Sequence, residues 1–222
     1  RLLAEGMKVA ITDLRADGIP ALQGTIALAH DVCDAESWAE VMRRTEDAFG
    51  PVDAVVNNAG VAMLPGQSQD PESLTIEHLR AVYTVNVEGV LLGCQAAIKA
   101  MKTRGGSIVN ISSLSALQPS PKMAAYGSSK AAMRHLTTTV AAYCAQAGYP
   151  IRCNSIHPGW IITDMTRESR TPAELAVIEQ AVPMKRFGEI GDVASAVAYL
   201  CSDESAYVTG SKMVMDGGVS WQ

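Results

Sequence analysis

The sequence predicts an α/β domain built on a parallel sheet with helices on both faces. Aliphatic runs of strand length recur at residues 7–12, 25–29, 52–56, 107–112, 151–156 and 212–215, and the stretches between several of them carry apolar residues at helical spacing. Strands alternating with helices pair in parallel, because each helix returns the chain to the edge from which the next strand starts. Composition is the other observation. With 222 residues, 48% of them hydrophobic and 5% aromatic, the chain can fill one aliphatic, Ala-rich core, so residues 1–222 are read as a single domain.

The elements follow in order. Residues 7–12 run to Asp13, and residues 25–29 run to His30-Asp31. The stretch between Asp13 and Asp31 is a few residues short for strand, helix and strand. Trp38, Val41, Met42, Thr45 and Phe49 share one helical stripe. Residues 52–56 lead into Asn57-Asn58-Ala59-Gly60. Leu79, Val82, Tyr83, Val87, Val90, Leu91 and Cys94 form a second stripe, and Met133, Leu136, Thr137, Val140 and Cys144 a third. Val193, Ala196, Val197 and Leu200 follow Asp192, an expected N-cap. Residues 65–73 read as a loop, and residues 163–182 as polar and then weakly helical.

A net charge of −5, scattered along the chain, argues against nucleic acid or an anionic membrane surface as the main partner. Five widely spaced cysteines show no Cys-x-x-Cys and no zinc-ligand pattern with the four histidines, so they read as buried thiols of a reducing compartment, and no metal is expected. No signal peptide opens the chain and no apolar run reaches the ~18 residues of a spanning helix, so the expectation is a cytoplasmic protein with no membrane partner.

In an open α/β sheet, ligands sit beyond the carboxyl ends of the strands. Asp13, Asp31, Asn58, Ser113 and Pro158-Gly159 all fall at or just past such ends, which argues for one shared site. Tyr126 and Lys130 are four residues apart on a helical segment, so they share a face. Ser113 closes the strand-like run thirteen residues before Tyr126. A phenol, an ammonium and a hydroxyl that converge can move a proton at a carbonyl or alcohol. Taken alone, the pair also reads as a half-buried Tyr beside a solvated Lys. Asn86 sits in an apolar stripe, where an amide must be hydrogen-bonded; a structural cap or kink is the plain alternative.

Together and in order, Asn57-Asn58-Ala59-Gly60, Asn86, Ser113, Tyr126-x-x-x-Lys130 and Pro158-Gly159 resemble the short-chain dehydrogenase/reductase family over essentially the whole chain. The resemblance implies a doubly wound Rossmann-type fold and an oxidoreductase that moves a hydride between a nicotinamide cofactor and a secondary alcohol or ketone. It implies Tyr126 as acid/base, Lys130 as its electrostatic helper and a ribose ligand, Ser113 as the substrate-orienting hydroxyl, and Asn86 as anchor of a proton-relay water. A neighbouring ammonium favours phenolate, so the Tyr126 pKa is expected to fall.

For the cofactor, an acid at the end of the first visible strand would accept hydrogen bonds from ribose hydroxyls and repel a 2′-phosphate. Asp13 therefore favours NAD over NADP, although Arg15 is of the kind that accommodates that phosphate; Asp13 also reads as a turn residue. Asp31-Val32 resembles the family's adenine-contacting pair, and Asp31 equally reads as a turn acid. Asn58, Ala59 and Gly60 would let the backbone pass close to the cofactor. Pro158, Gly159, the backbone of Ile161 and the hydroxyl of Thr163 resemble the nicotinamide segment. Trp160 would face substrate or pack on a lid, and His157 reads as a packing residue.

One departure stands out. The family's Thr-Gly-x-x-x-Gly-x-Gly loop is absent, and Gly-x-x-x-Gly-x-Gly occurs nowhere in the chain. The expectation is a fold lacking its first strand and glycine-rich loop, with the strands at residues 7–12 and 52–56 facing an empty slot, hence an N-terminally incomplete domain. Small-molecule partners would be an alcohol or ketone, with Met63, Leu64, Leu114, Leu117, Met123, Trp160 and Met165 suggesting an apolar pocket. The resemblance implies a homotetramer or homodimer built on the long helices, whose small residues Gly89, Gly93 and Ala131-Ala132 would permit close packing. Two other readings stand beside it: a catalytically silent scaffold or oligomer partner, and an epimerase or dehydratase using the same Tyr–Lys pair. The latter relatives carry an appended substrate domain, for which this chain leaves no room.

Overall fold

The computed structural model describes residues 1–62, 66, 68–168 and 170–221, with only the backbone at Met165 and Glu168. Met63, Leu64 and the Met165 side chain, read above as pocket residues, lie outside the described parts, as does Pro65 of the expected loop. The elements in chain order are β1 (Val9–Asp13), β2 (Thr25–Ala29), α1 (Ala35–Phe49), β3 (Ala54–Asn57), α2 (Ile76–Tyr83), a π-turn (Thr84–Glu88), α3 (Gly89–Met101), β4 (Gly106–Ile111), α4 (Ala124–Gln146), β5 (Ile151–Pro158), α5 (Asp164–Glu168), α6 (Pro172–Ala181), α7 (Ile190–Cys201) and β6 (Lys212–Met215), with short 3-10 turns between some of them.

All strand pairs are parallel, and the protein has the α/β, Rossmann-like architecture that alternation predicts. The central strand β4 is hydrophobic on both faces, as parallel strands between helix layers are. Ile108 packs toward α1, α3 and α4 with Trp38, Val90, Cys94, Met101, Met133 and Cys144. Its neighbour Val109 points to the opposite face and packs with Ile156 of β5 and Ala196, Val197 and Leu200 of α7.

The strands form two sheets, β1-β2 and β3-β4-β5-β6. Between β1 and β3 runs a groove of two adjoining cavities of about 490 and 570 Å³, both lined by Val9, Ala10, Thr12, His30, Trp38 and Val56. The slot expected from the sequence is therefore present. In it, His30 packs edge-on to Trp38 and its Nδ1 meets the Thr12 hydroxyl at 3.1 Å, but its buried Nε2 has no hydrogen-bond partner. The β1–β2 crossover, residues 14–24, holds only a 3-10 turn (Ala16–Gly18) where parallel pairs ordinarily use a dozen residues or more and a helix. Leu14 and Leu22 are exposed beside it.

Four sequence expectations change. Asp192 is not the N-cap of α7; Glu189 is, and Asp192 reaches back to it, its Oδ2 accepting from Glu189 N at 2.9 Å while Asp192 N donates to Glu189 O at 3.0 Å. Gly89 and Gly93 face the domain's own interior rather than a partner. A Cβ on Gly93 would lie 2.1 Å from Asn57 Oδ1 and 2.8 Å from the Trp38 ring, and one on Gly89 would lie 3.0 Å from Val32. Of the five cysteines, all are free thiols, but only Cys94, Cys144 and Cys153 are buried. The continuous helical run Ile76–Met101, 26 residues with mean hydropathy 1.3, is long and apolar enough to span a membrane by length and composition. Its fully buried positions Val82, Asn86, Ala97 and Met101 pack inside the domain, as in a core helix.

Candidate active site

Four elements meet at the carboxyl end of β4. Pairing of β4 with β5 continues to Ser112, whose N–H donates to Ile156 O at 2.8 Å. Ser113 then turns out of the strand and caps a 3-10 turn, its hydroxyl accepting from Ser115 N at 3.1 Å. The long helix α4 starts close by and presents Tyr126 and Lys130 one turn apart. The Ser113 hydroxyl lies close enough to the Tyr126 phenol to favour its ionised form. Lys130 is 4% exposed, donates to Ile111 O at 2.8 Å and stands 5.7 Å from the Tyr126 ring centre.

Asn86 completes this side. It lies in the π-turn that interrupts the α2–α3 helix, a distortion that recurs at functional sites. Its amide is fully buried and both of its polar atoms are hydrogen-bonded: Oδ1 accepts from Val61 N at 2.9 Å, and Nδ2 donates to Val61 O at 2.9 Å and to Ser129 Oγ at 3.0 Å. The side chain thus pins the segment after β3 to α4. Gly60 sits where these groups converge, since a Cβ there would lie 3.1 Å from Asn86 Oδ1 and 3.2 Å from Lys130 Nζ.

The electrostatics differ from the expectation. Burial pushes the Tyr126 phenol above its ordinary pKa, and the Ser113 hydroxyl only partly offsets this. Burial also lowers Lys130 to about 8, because desolvation disfavours the charged ammonium. The expected fall of the Tyr126 pKa is therefore not found; desolvation sets its direction.

The second side of the site is the 570 Å³ cavity at the carboxyl ends of β1, β2 and β3. It gathers Asp13, Asp31, Val32, Asn58, Ala59 and Gly60 on one wall system. Asp13 is exposed at the end of β1, and its Oδ1 takes a long, 3.4 Å contact from Arg15 N. Asp31 accepts from Cys33 N at 2.9 Å, so its carboxylate shapes a turn. Val32 O accepts from Trp38 Nε1 at 3.0 Å. Asn58, Ala59 and Gly60 are exposed, whereas Asn57 turns inward and donates to Asn110 Oδ1 at 2.8 Å.

Past β5, Pro158 ends the strand and Gly159 passes so close to Asp216 that a Cβ would lie 2.8 Å from its backbone. Ile161 makes an isolated bridge with Gly188, and Ile162 N donates to Gly188 O at 2.8 Å. The Thr163 hydroxyl accepts from Thr166 N at 3.1 Å at the start of α5. Trp160 is 39% exposed, with the Arg170 guanidinium 5.2 Å from its ring centre.

Two residues escaped the sequence reading. Gln69, in the expected loop, is 1% exposed; its Oε1 accepts from Tyr126 N at 3.0 Å, its Nε2 donates to Ala62 O at 2.5 Å, and its carbonyl accepts from Ala124 N at 3.0 Å. His157, read as packing, is fully buried with both ring nitrogens engaged. Neither contact with the site has a sequence signal, because Gln69 meets Tyr126 across 57 residues and His157 meets Ser113 across 44.

Comparison with known proteins identifies relatives of the chain and of its fold. The family model described as Enoyl-(Acyl carrier protein) reductase matches residues 1–220. The chain is 37% identical to the NADP-dependent (R)-specific alcohol dehydrogenase of Lentilactobacillus kefiri, covering 100% of this chain and 90% of that protein. It is 35% identical to the 3-beta-hydroxysteroid dehydrogenase of Comamonas testosteroni, covering 98% and 88%. Among solved structures, a short-chain type dehydrogenase/reductase from Mycobacterium marinum superposes with a TM-score of 0.84 at 28% identity, over 97% of this chain and 86% of that one. On the family match, these relatives and the shared architecture, the chain belongs to the short-chain dehydrogenase/reductase family of oxidoreductases.

Proposed function

We propose that the protein interconverts a secondary alcohol and its ketone with a nicotinamide dinucleotide, NAD in preference to NADP. The observation that carries the reading is the gathering of Ser113 and Tyr126 with the buried Lys130, whose amine stands 5.7 Å from the Tyr126 ring centre one helical turn away. The residues around the cleft fit such a cofactor. Gly60 leaves open the space where a Cβ would crowd Asn86 and Lys130, and the 570 Å³ cavity brings Asp13, Asp31, Val32, Asn58 and Ala59 to the same region. When bound, the nicotinamide supplies or accepts the hydride. Pro158, Gly159, Ile161 and Thr163 would hold its carboxamide end, and Asp13 the adenosine ribose.

The protein's own groups handle the proton. In the reducing direction Tyr126 donates its phenolic proton to the substrate oxygen, and in the oxidising direction it takes that proton back. Ser113 offers a hydrogen bond to the same oxygen as negative charge develops there. Lys130, held at Ile111 O, would favour the phenolate form of Tyr126 when charged and would hold the ribose of the cofactor. Asn86 anchors the relay by which Tyr126 is reprotonated. The partners are a small alcohol or ketone and further copies of this chain as a homodimer or homotetramer.

Asp13 is the argument for NAD, because a carboxylate at the end of β1 repels a 2′-phosphate. The Lentilactobacillus relative, named as NADP-dependent, weighs the other way. The test is a panel of secondary alcohols and ketones followed by NADH and NADPH absorbance, with Tyr126→Phe as control. Tyr126→Phe is expected to lower kcat by at least ~10²-fold while cofactor binding survives. Turnover close to that of the wild type in this variant would remove Tyr126 from the chemistry, and an absence of dinucleotide binding would favour the silent-scaffold reading.

A further inference from the structure

Backbone pairing between β4 and β5 stops one residue short of Ser113. The last rung is Ser112 N–H to Ile156 O, and beyond it the two chains diverge. The next residue of β5 is His157, and its side chain takes over where the ladder ends: Nδ1 lies 3.1 Å from the Ser113 carbonyl oxygen. On the other edge of the ring, Nε2 lies 2.8 Å from the hydroxyl of Ser155, two residues back on the same face of the strand. Ser155 Oγ has a second, longer contact, 3.4 Å to Ser211 O.

Proton accounting gives the ring one state. The Ser113 carbonyl can only accept, so Nδ1 carries a hydrogen. In the neutral ring Nε2 then accepts from the Ser155 hydroxyl. The surroundings keep the ring neutral: it is fully buried, and the charged groups acting on it, Lys130 and Arg134 of α4 and Lys212 of β6, are all cationic. His157 therefore presents a fixed donor to one side of the Ser113 backbone, while Ala116 N donates to the same carbonyl at 3.0 Å from the other.

We propose that His157 is a positioning residue for the reaction, its Nδ1–H anchoring the Ser113 backbone so that the Ser113 hydroxyl is held against the Tyr126 phenol. The inference rests on the proposed acid/base role of Tyr126 and Ser113. It adds a residue that touches neither substrate nor cofactor and acts through Ser113 alone. A displacement of ~1 Å at such a group is enough to cost up to ~10²-fold in rate.

The two amide replacements of histidine separate the contacts. In His157→Asn the side-chain amide reaches the position of Nδ1 and keeps the donor to Ser113. In His157→Gln it reaches the position of Nε2 and keeps only the contact with Ser155. The expectation is that His157→Asn stays within ~3-fold of wild-type kcat, that His157→Gln falls by about 10- to 100-fold, and that KM and dinucleotide binding change little in either. A second measurement does not depend on how well either variant packs. In the Ser113→Ala background His157→Gln should have no further effect on kcat, because both changes remove the same hydroxyl from its place.

Three results overturn the proposal: equal kcat for the Asn and Gln variants, a loss that tracks thermal stability alone, or additive losses in the double variant. An inactive wild type, or a Tyr126→Phe variant with full turnover, would instead defeat the acid/base reading on which the proposal rests. The two failures are thus distinguishable.

Discussion

The two walls of the cleft are built in contrasting ways. On the β4–α4 wall the polar side chains named above are locked: Lys130 to Ile111, Asn86 to Val61 and Ser129, Gln69 to Tyr126, His157 to Ser113. On the β1–β3 wall the two strands share no hydrogen bonds, His30 Nε2 and Asn57 Oδ1 are buried without partners, and Asp13 is exposed. The difference teaches that geometry for proton transfer is set by tertiary interlocks that do not need a continuous sheet. The dinucleotide wall instead relies on single exposed groups at strand ends. Changes on the first wall should therefore damage fold and turnover together, whereas changes on the second should alter binding and leave stability nearly untouched.

The largest effect is expected at Asn86. Replacing it by Leu leaves the N–H and C=O of Val61 without partners in the interior and should cost about 3–4 kcal/mol, read from denaturant midpoints. A loss below about 1 kcal/mol would mean that the segment after β3 is not held by this amide and that the first wall is less interlocked than its hydrogen bonds imply.

Lys130 sharpens the contrast through pH. Its folded pKa of about 8 lies below the ordinary 10.5, so between those values the unfolded chain binds more protons and stability rises with pH. Below pH 8 the full cost of burying the ammonium is present, about 3 kcal/mol. Lys130→Met should abolish this rise between pH 8 and pH 10.5 while eliminating most turnover. An unchanged pH slope in that variant would show that the amine is solvated in the folded protein.

The smallest effect on stability belongs to Asp13. Asp13→Ser should move the folding midpoint by less than about 0.5 kcal/mol, since the side chain is exposed. It should nonetheless shift the ratio of NADH to NADPH affinity toward NADPH by about tenfold, equivalent to about 1.4 kcal/mol. A preference that does not move in fluorescence titrations would take cofactor selection away from the end of β1.

Several features were legible in the sequence because they are encoded by near neighbours. Strand β2 and strand β6 occupy the residues that their aliphatic runs mark, and α1 carries the stripe of Trp38 and Val41 inward. The Tyr126–Lys130 spacing places both side chains on one face of α4, as helical period requires. The split between β1 and β3 also follows from a countable absence, the lack of a glycine-rich turn in the sequence.

What only the tertiary structure decided depends on groups far apart in the chain. The capping of α7 by Glu189 rather than Asp192 turned on which backbone N–H groups were in reach. The upward shift of Tyr126 came from desolvation, which no spacing of residues encodes. The roles of Gln69 and His157 arise from contacts 57 and 44 residues apart. Local sequence determined which elements form and which faces they bury, because period and capping act over one or two turns. Packing alone determined how those elements close around Ser113 and Tyr126, because burial and hydrogen-bond partners exist only once the chain is folded.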